Sequence, residues 1–214
     1  MKRALITFVK APVLGTVKTR LQPDLGKDVI VEIYKAFVTE IISQCARLKG
    51  LERFLGCAPS KDHDFLREIT KKYELKSFNQ RGASLGEKIV NAFQDYFRKG
   101  YTEIALIGSD SPTIPMNYIR KAFAALEKND LVLGPCCDGG LYLIGAKKKI
   151  VPEIFNDIPW DSSKVLNKIL DNIDPAGIKL YLLPFWYDVD GIEDLRFLKK
   201  HLRYLNKKLP LPSF

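Results

Sequence analysis

Apolar and polar positions along this chain fall into two alternating rhythms. Ala4 to Val9 is a continuous apolar run with β-branched Ile6, Thr7 and Val9, and it predicts a buried first strand. Residues 28 to 48 then carry apolar side chains at Val29, Ile30, Ile33, Phe37, Ile41, Cys45 and Leu48, a spacing that predicts a long helix ended by Gly50. Arg53 to Cys57 predicts a second strand, stopped by Pro59. A helix capped by Asp62 or Asp64 follows, running to about Tyr73, and Leu75 to Phe78 is a weaker third strand. Ser84 and Glu87 form a capping box for a helix ending near Gly100. Glu103 to Ile107 predicts an interior strand, Met116 to Lys128 a helix and Leu131 to Leu133 another buried strand. Leu141 to Ala146 follows so closely that it breaks the rhythm and predicts an antiparallel pair. A helix from Lys164 to Asn172 capped by Ser162 or Ser163, a strand from Ile178 to Leu183 and a helix from Ile192 to Asn206 complete the pattern. Strands alternating with helices predict an α/β fold with a doubly wound, mostly parallel sheet. With no repeat and no linker, one domain is expected over residues 1–208, followed by a tail at 209–214.

Composition narrows the partners. The chain has 214 residues, 46% of them hydrophobic and 28% charged, enough to bury one substantial core. The formal charge of +9 favours an anionic ligand such as a nucleotide or sugar phosphate. The cations lie in small scattered groups, and no helix carries a basic stripe interleaved with aromatics, which argues against nucleic acid. Cys45, Cys57, Cys136 and Cys137 form no C-x-x-C, and only His63 and His201 could join them, so neither zinc nor a disulfide framework is expected. Reduced thiols, an N-terminal apolar run too short for a signal peptide and no stretch of transmembrane length point to the cytoplasm and away from membranes. Oligomeric state is not readable from the sequence.

Chemistry concentrates in loops that leave strand ends. Lys10-Ala11-Pro12 opens a loop that runs through Gly15, Lys18 and Arg20 to Leu21. Glycine lets backbone N–H groups approach an anion, and arginine forks onto phosphate oxygens. The spacing is neither a P-loop nor a dinucleotide fingerprint, so the competing reading is a solvated basic loop. Arg81, beside the N-terminus of the helix capped by Ser84, is a second possible phosphate position, against simple capping. Asp110 directly follows a buried strand, where a carboxylate can hold Mg²⁺ or merely cap the next helix. Asp138-Gly139-Gly140 reads as a hairpin turn, or as a place where a sugar or nucleotide meets the backbone. Asp188 and Asp190 form D-x-D, with both on one face of an extended segment, although Asp190 could instead cap the last helix. Trp160 is either core or a stacking platform. The histidines show no nucleophile or base context.

Together these residues resemble a known family. Phe8-Val9-Lys10-Ala11-Pro12 with Gly15 and Lys18-Thr19-Arg20-Leu21, then Gly108-Ser109-Asp110-Ser111-Pro112, then Gly134-Pro135 with Asp138-Gly139-Gly140, then Pro159-Trp160, then Asp188-Val189-Asp190 with Glu193-Asp194-Leu195, occur there in the same order. The family is the glycosyltransferase-A-like group known as radical-SAM/selenodomain-associated transferases. It lies within the nucleotide-diphospho-sugar transferase superfamily, which includes molybdenum-cofactor and 2-phospholactate nucleotidyltransferases. The resemblance spans nearly the whole chain. It implies a glycosyltransferase-A fold and Mg²⁺ (or Mn²⁺) held by Asp110 with Asp190 as second ligand; Lys18 and Arg20, the loop cations that would neutralise phosphate charge, are the candidate catalytic partners of Asp110. Lys10, Ala11, Pro12, Gly15, Arg81, Ser109, Asp138, Gly139, Gly140 and Trp160 are the candidate nucleotide- or substrate-binding residues, Arg81 from its place beside a helix N-terminus alone. Two departures stand out: Gly191-Ile192 replaces the usual Thr-Pro, and Ser109-Asp110-Ser111 holds one carboxylate where many glycosyltransferases carry D-x-D. The expected activity is glycosyl transfer from a nucleotide sugar to a small acceptor of unknown identity. The alternatives are nucleotidyl transfer from a nucleoside triphosphate to a phosphorylated acceptor with release of pyrophosphate, and a non-catalytic nucleotide-binding module.

Overall fold

The computed structural model describes residues 2–212, so Met1 and the last two residues of the expected tail lie outside it. Seven strands form one sheet in the order β3-β2-β1-β4-β6-β5-β7. They are β1 (Arg3–Lys10), β2 (Glu52–Ala58), β3 (Lys76–Asn79), β4 (Glu103–Ile107), β5 (Leu131–Pro135), β6 (Leu141–Lys147) and β7 (Leu180–Leu182). Every pairing is parallel except the two made by β6, which is wedged antiparallel between β4 and β5. The expected antiparallel pair at Leu131 to Ala146 is therefore present, as the β5–β6 hairpin.

Among the described residues six α-helices cover the sheet: α1 (Lys27–Ala46), α2 (Asp64–Lys72), α3 (Leu85–Arg98), α4 (Met116–Leu126), α5 (Val165–Ile173) and α6 (Ile192–Tyr204). The period-two alternation of β1 divides the core. Ala4, Ile6 and Phe8 pack under α3 and α5, whereas Leu5 and Val9 face the layer of α1, α2, α4 and α6. Both faces are thus covered, which is why the strands read as continuous apolar runs. Two glycines allow close packing within the sheet. A Cβ on Gly56 would fall 2.6 Å from the Phe8 ring, and one on Gly134 would fall 2.5 Å from the Tyr142 ring.

Three capping expectations are corrected. His63 precedes α2, and Asp64 is its first helical residue, ion-paired to Arg67. Lys164, not Ser162 or Ser163, precedes α5; Ser162 Oγ accepts the Lys164 N–H at 3.2 Å. Gly191 precedes α6, and Asp194 accepts both the Gly191 and the Asp190 N–H, at 2.8 and 3.1 Å. Asp190 is thereby freed from capping. The expected C-terminal coil is anchored, since Leu209 and Leu211 pack against the core beneath α1 and α6. Among the described residues no helix is long and apolar enough to cross a membrane.

After β1 the chain winds outward to β2 and β3, then returns to β4 on the other side of β1. The loops leaving β1 and β4 therefore splay apart. This topological switch at the carboxyl ends of parallel strands is where open α/β sheets bind ligands.

Candidate active site

A cleft of about 630 Å³ opens at this switch, within the range of small-molecule sites. One wall is the loop after β1. It is closed by its own hydrogen bonds: Val13 N–H to the Ala11 carbonyl at 2.8 Å, Thr16 N–H to Val13 at 3.1 Å and the Gln22 amide to the Gly15 carbonyl at 3.2 Å. Val17 and Leu21 are buried in the core under α1, and Lys18 between them adopts a left-handed backbone, φ 46° and ψ 45°. That conformation is uncommon away from glycine. Here it accompanies an inward-turned side chain only 3% exposed, with Nζ 5.9 Å from the centre of the Phe37 ring.

Lys18 Nζ bridges two carboxylates far apart in sequence. It pairs with Asp110, which follows β4, and with Asp190 at 2.9 Å. Arg20 reaches the other Asp190 oxygen at 3.1 Å from a more exposed position. Burial disfavours the Lys18 ammonium, yet Asp110 and Asp190 outweigh it and raise its pKa. Burial likewise opposes the charge of Asp190, but Lys18 and Arg20 hold its carboxyl below the usual range. Two further links fix the three segments. The Tyr34 hydroxyl of α1 accepts the Lys10 N–H at 2.8 Å and shares a 3.1 Å hydrogen bond with Ser109. The Val189 N–H donates to the Asp110 carbonyl at 2.9 Å.

Asp188 also lines the cleft. Its carboxyl is pushed up to about 6, chiefly by burial and then by Asp110, against the hydrogen bonds from Ser111 and Cys136. Ligand atoms of Asp188, Cys136 and Asp138 lie within 4.8 Å of one another. Burial raises the Cys136 pKa far enough to keep a thiol rather than a thiolate.

The remaining expected residues divide. Lys10, Ser109, Asp138, Gly140 and Trp160 line the cleft with Lys18, Arg20, Asp110 and Asp190. Trp160 does double duty, stacking on Phe155 with centroids 6.3 Å apart while one edge meets the cleft. Ala11, Pro12 and Gly15 shape the loop without reaching the cleft wall. Arg81 turns away to Asp95 of α3 at 2.6 Å. Gly139 meets the protein's own backbone rather than a ligand: a Cβ there would lie 2.0 Å from the Ser163 carbonyl oxygen. The sequence reading missed Tyr34, hidden in a helix periodicity that explained it as core. It also missed Gln80, whose amide donates to the Val9 and Gly56 carbonyls at 3.3 and 2.8 Å, and Asp161 to Ser163 on the far wall.

Against known proteins, the family described as "Uncharacterized protein conserved in bacteria (DUF2064)" matches residues 41–162. A crystal structure from Desulfovibrio desulfuricans G20, described as that of a nucleotide-diphospho-sugar transferase, superposes with a TM-score of 0.87 at 32% identity, covering 95% of this chain and 89% of that one. A cytidylyltransferase from Leptospira borgpetersenii serovar Hardjo-bovis superposes with a TM-score of 0.62 at 15% identity, covering 95% and 87%. The 2-phospho-L-lactate guanylyltransferase of Methanocaldococcus vulcanius is 22% identical over 194 residues, 89% of this chain and 82% of its own.

Proposed function

The chain belongs to the DUF2064 family, and from that premise we propose that it is a nucleotidyltransferase. A nucleoside triphosphate occupies the cleft, an oxygen of a phosphorylated acceptor attacks the α-phosphorus, and pyrophosphate leaves with the electron pair of the broken P–O bond. The observation that carries this reading is the cluster of Lys18, Arg20, Asp110 and Asp190 at the topological switch. Little covalent chemistry is asked of the protein in such a transfer, so catalysis rests on positioning and charge. Lys18 and Arg20 neutralise phosphate oxygens, with Lys10 at the rim. Asp188 and Asp138 line the same cleft. The likeness to a guanylyltransferase and a cytidylyltransferase supports this chemistry over glycosyl transfer, which the sequence reading put first.

The donor set fits a divalent cation of the Mg²⁺ or Mn²⁺ kind. Asp110 and Asp190 offer only hard oxygen ligands, and they already converge on one positive group. When bound, the cation would supply charge neutralisation at the phosphates. Ser109 holds the Asp110 loop in place through Tyr34. We place this activity in one domain over residues 1–208, in the cytoplasm, and extend the likeness to the radical-SAM/selenodomain-associated transferases. Glycosyl transfer remains a second reading because the Desulfovibrio protein is described by its nucleotide-diphospho-sugar likeness.

The test screens the nucleoside triphosphates and nucleotide sugars with Mg²⁺ by thermal shift. The stabilising ligand is then incubated with phosphorylated acceptors. Pyrophosphate release is expected. Transfer of sugar with release of a nucleoside diphosphate would restore the glycosyltransferase reading. Asp110→Asn keeps the shape and removes the charge, and should lower kcat by about 100-fold or more.

A further inference from the structure

We propose that Lys18 is a displaceable internal counterion, which makes cation loading of Asp110 and Asp190 conditional on the triphosphate. The inference rests on the reading of these two carboxylates as the metal ligands. Its distinct content is that the ammonium and the divalent cation compete for one position.

The geometry argues for competition. Lys18 Nζ contacts both carboxylates at once, and its side chain is almost wholly enclosed. Its charge is compensated by two acidic groups, and Arg20 adds a second cation on Asp190. Two cations thus already hold the two carboxylates proposed as metal ligands. A divalent cation arriving alone would meet carboxylates already paired, with an ammonium beside it. Like charges at such range repel strongly. A triphosphate changes the balance, because it offers Lys18 another anion within the same cleft. The long lysine stem can then swing from carboxylate to phosphate, leaving both carboxylates to the metal. Lys18 carries its carboxylate contacts on a left-handed backbone between buried Val17 and Leu21, the kind of strained conformation that clusters at ligand sites.

The device has a physical use. Without an internal cation, Asp110, Asp188 and Asp190 would crowd three carboxylates around one cleft. Lys18 relieves that repulsion and keeps the ligands preorganised. It also prevents a bare divalent ion from being trapped before substrate arrives.

The test measures Mn²⁺ bound to the protein by equilibrium dialysis, with and without inorganic triphosphate on both sides of the membrane, because triphosphate itself sequesters the free ion. Wild type should bind Mn²⁺ weakly alone and tightly with triphosphate. Lys18→Met and Lys18→Gln should bind Mn²⁺ alone roughly tenfold or more tightly than wild type, since the competing charge is gone. Adding Asp110→Asn to either variant should abolish that gain. Equal or weaker binding by both Lys18 variants overturns the proposal. If wild type still binds Mn²⁺ with triphosphate in an Asp110-dependent way, the metal reading survives that failure. If wild type takes up no Mn²⁺ even with triphosphate, the metal reading itself falls and carries the proposal with it. A measurement on wild type alone guards against variants that fail to fold. The Lys18 Nζ nuclear magnetic resonance signal should shift with Mg²⁺ plus triphosphate and stay unmoved with Mg²⁺ alone. A shift with Mg²⁺ alone overturns the proposal.

Discussion

Asp188 is pulled in opposite directions by its neighbours. Burial and Asp110 favour its neutral form, while Ser111, Cys136 and Lys18 favour the charge, and its pKa settles at about 6. An unfolded aspartate titrates near ~3.9. Between those two values the folded protein holds the extra proton, so stability falls as pH rises from about 4 to about 6 and stays lower above that. Asp188→Asn should therefore stabilise the protein at pH 7.5 by about 2 kcal/mol, discounted for the partial exposure of the site, and the gain should vanish near pH 4. Urea unfolding at the two pH values measures this, and a pH-independent difference would refute it. Arg20 is open to a separate test. Arg20→Lys keeps the charge but loses the planar fork, and should weaken nucleotide binding by about tenfold. Unchanged affinity at both low and high salt would return the loop to a solvated role. Asp110 and Asp190 were legible in the sequence because each follows an extended segment and precedes a helix. Tyr34 was not, because its hydroxyl function is invisible behind a side chain that also satisfies the helix's apolar spacing.

At the scale of elements, the β5–β6 turn shows how a motif can be noticed for the wrong reason. Asp138-Gly139-Gly140 makes the expected turn, with Asp138 accepting the Gly140 N–H at 2.9 Å. Gly139, however, is needed for the approach of Ser163 just before α5, and the Leu166 N–H in the first turn of α5 donates to the Gly139 carbonyl at 2.9 Å. Gly139→Ala would combine a φ of +89° with a Cβ 2.0 Å from backbone, and should destabilise by about 3 kcal/mol. Gly50→Ala is the control. Its φ is +78° but nothing stands within 4 Å, so about 1 kcal/mol is expected there. Similar losses for the two, compared by denaturant midpoints, would remove the packing argument. Strands and helices were legible because apolar periodicity is local. Cap positions slipped by a residue or two because several Asp, Ser and Gly neighbours could each serve, and three-dimensional packing chose among them.

For the molecule as a whole, the cleft is walled by segments spread from Phe8 to Asp190, so a ligand there ties distant parts of the chain together. A triphosphate with Mg²⁺ at about 100 times its Kd should add about 2.7 kcal/mol and raise the melting temperature by roughly 5–10 °C. A shift that Asp110→Asn leaves intact would locate the ligand elsewhere. The α/β class and the parallel bias were readable from alternation alone. The strand order was not, because local pattern names strands but not their neighbours. The insertion of β6 between β4 and β5 carries a consequence for synthesis on the ribosome. The apolar edge of β4 cannot be closed until Lys147 has emerged, some 40 residues after Ile107. At about 5–20 residues per second that leaves roughly 2–8 s in which the nascent chain presents a central strand with one edge open. That interval is the window in which chaperone binding, or mispairing between neighbouring chains on a polysome, would compete with folding.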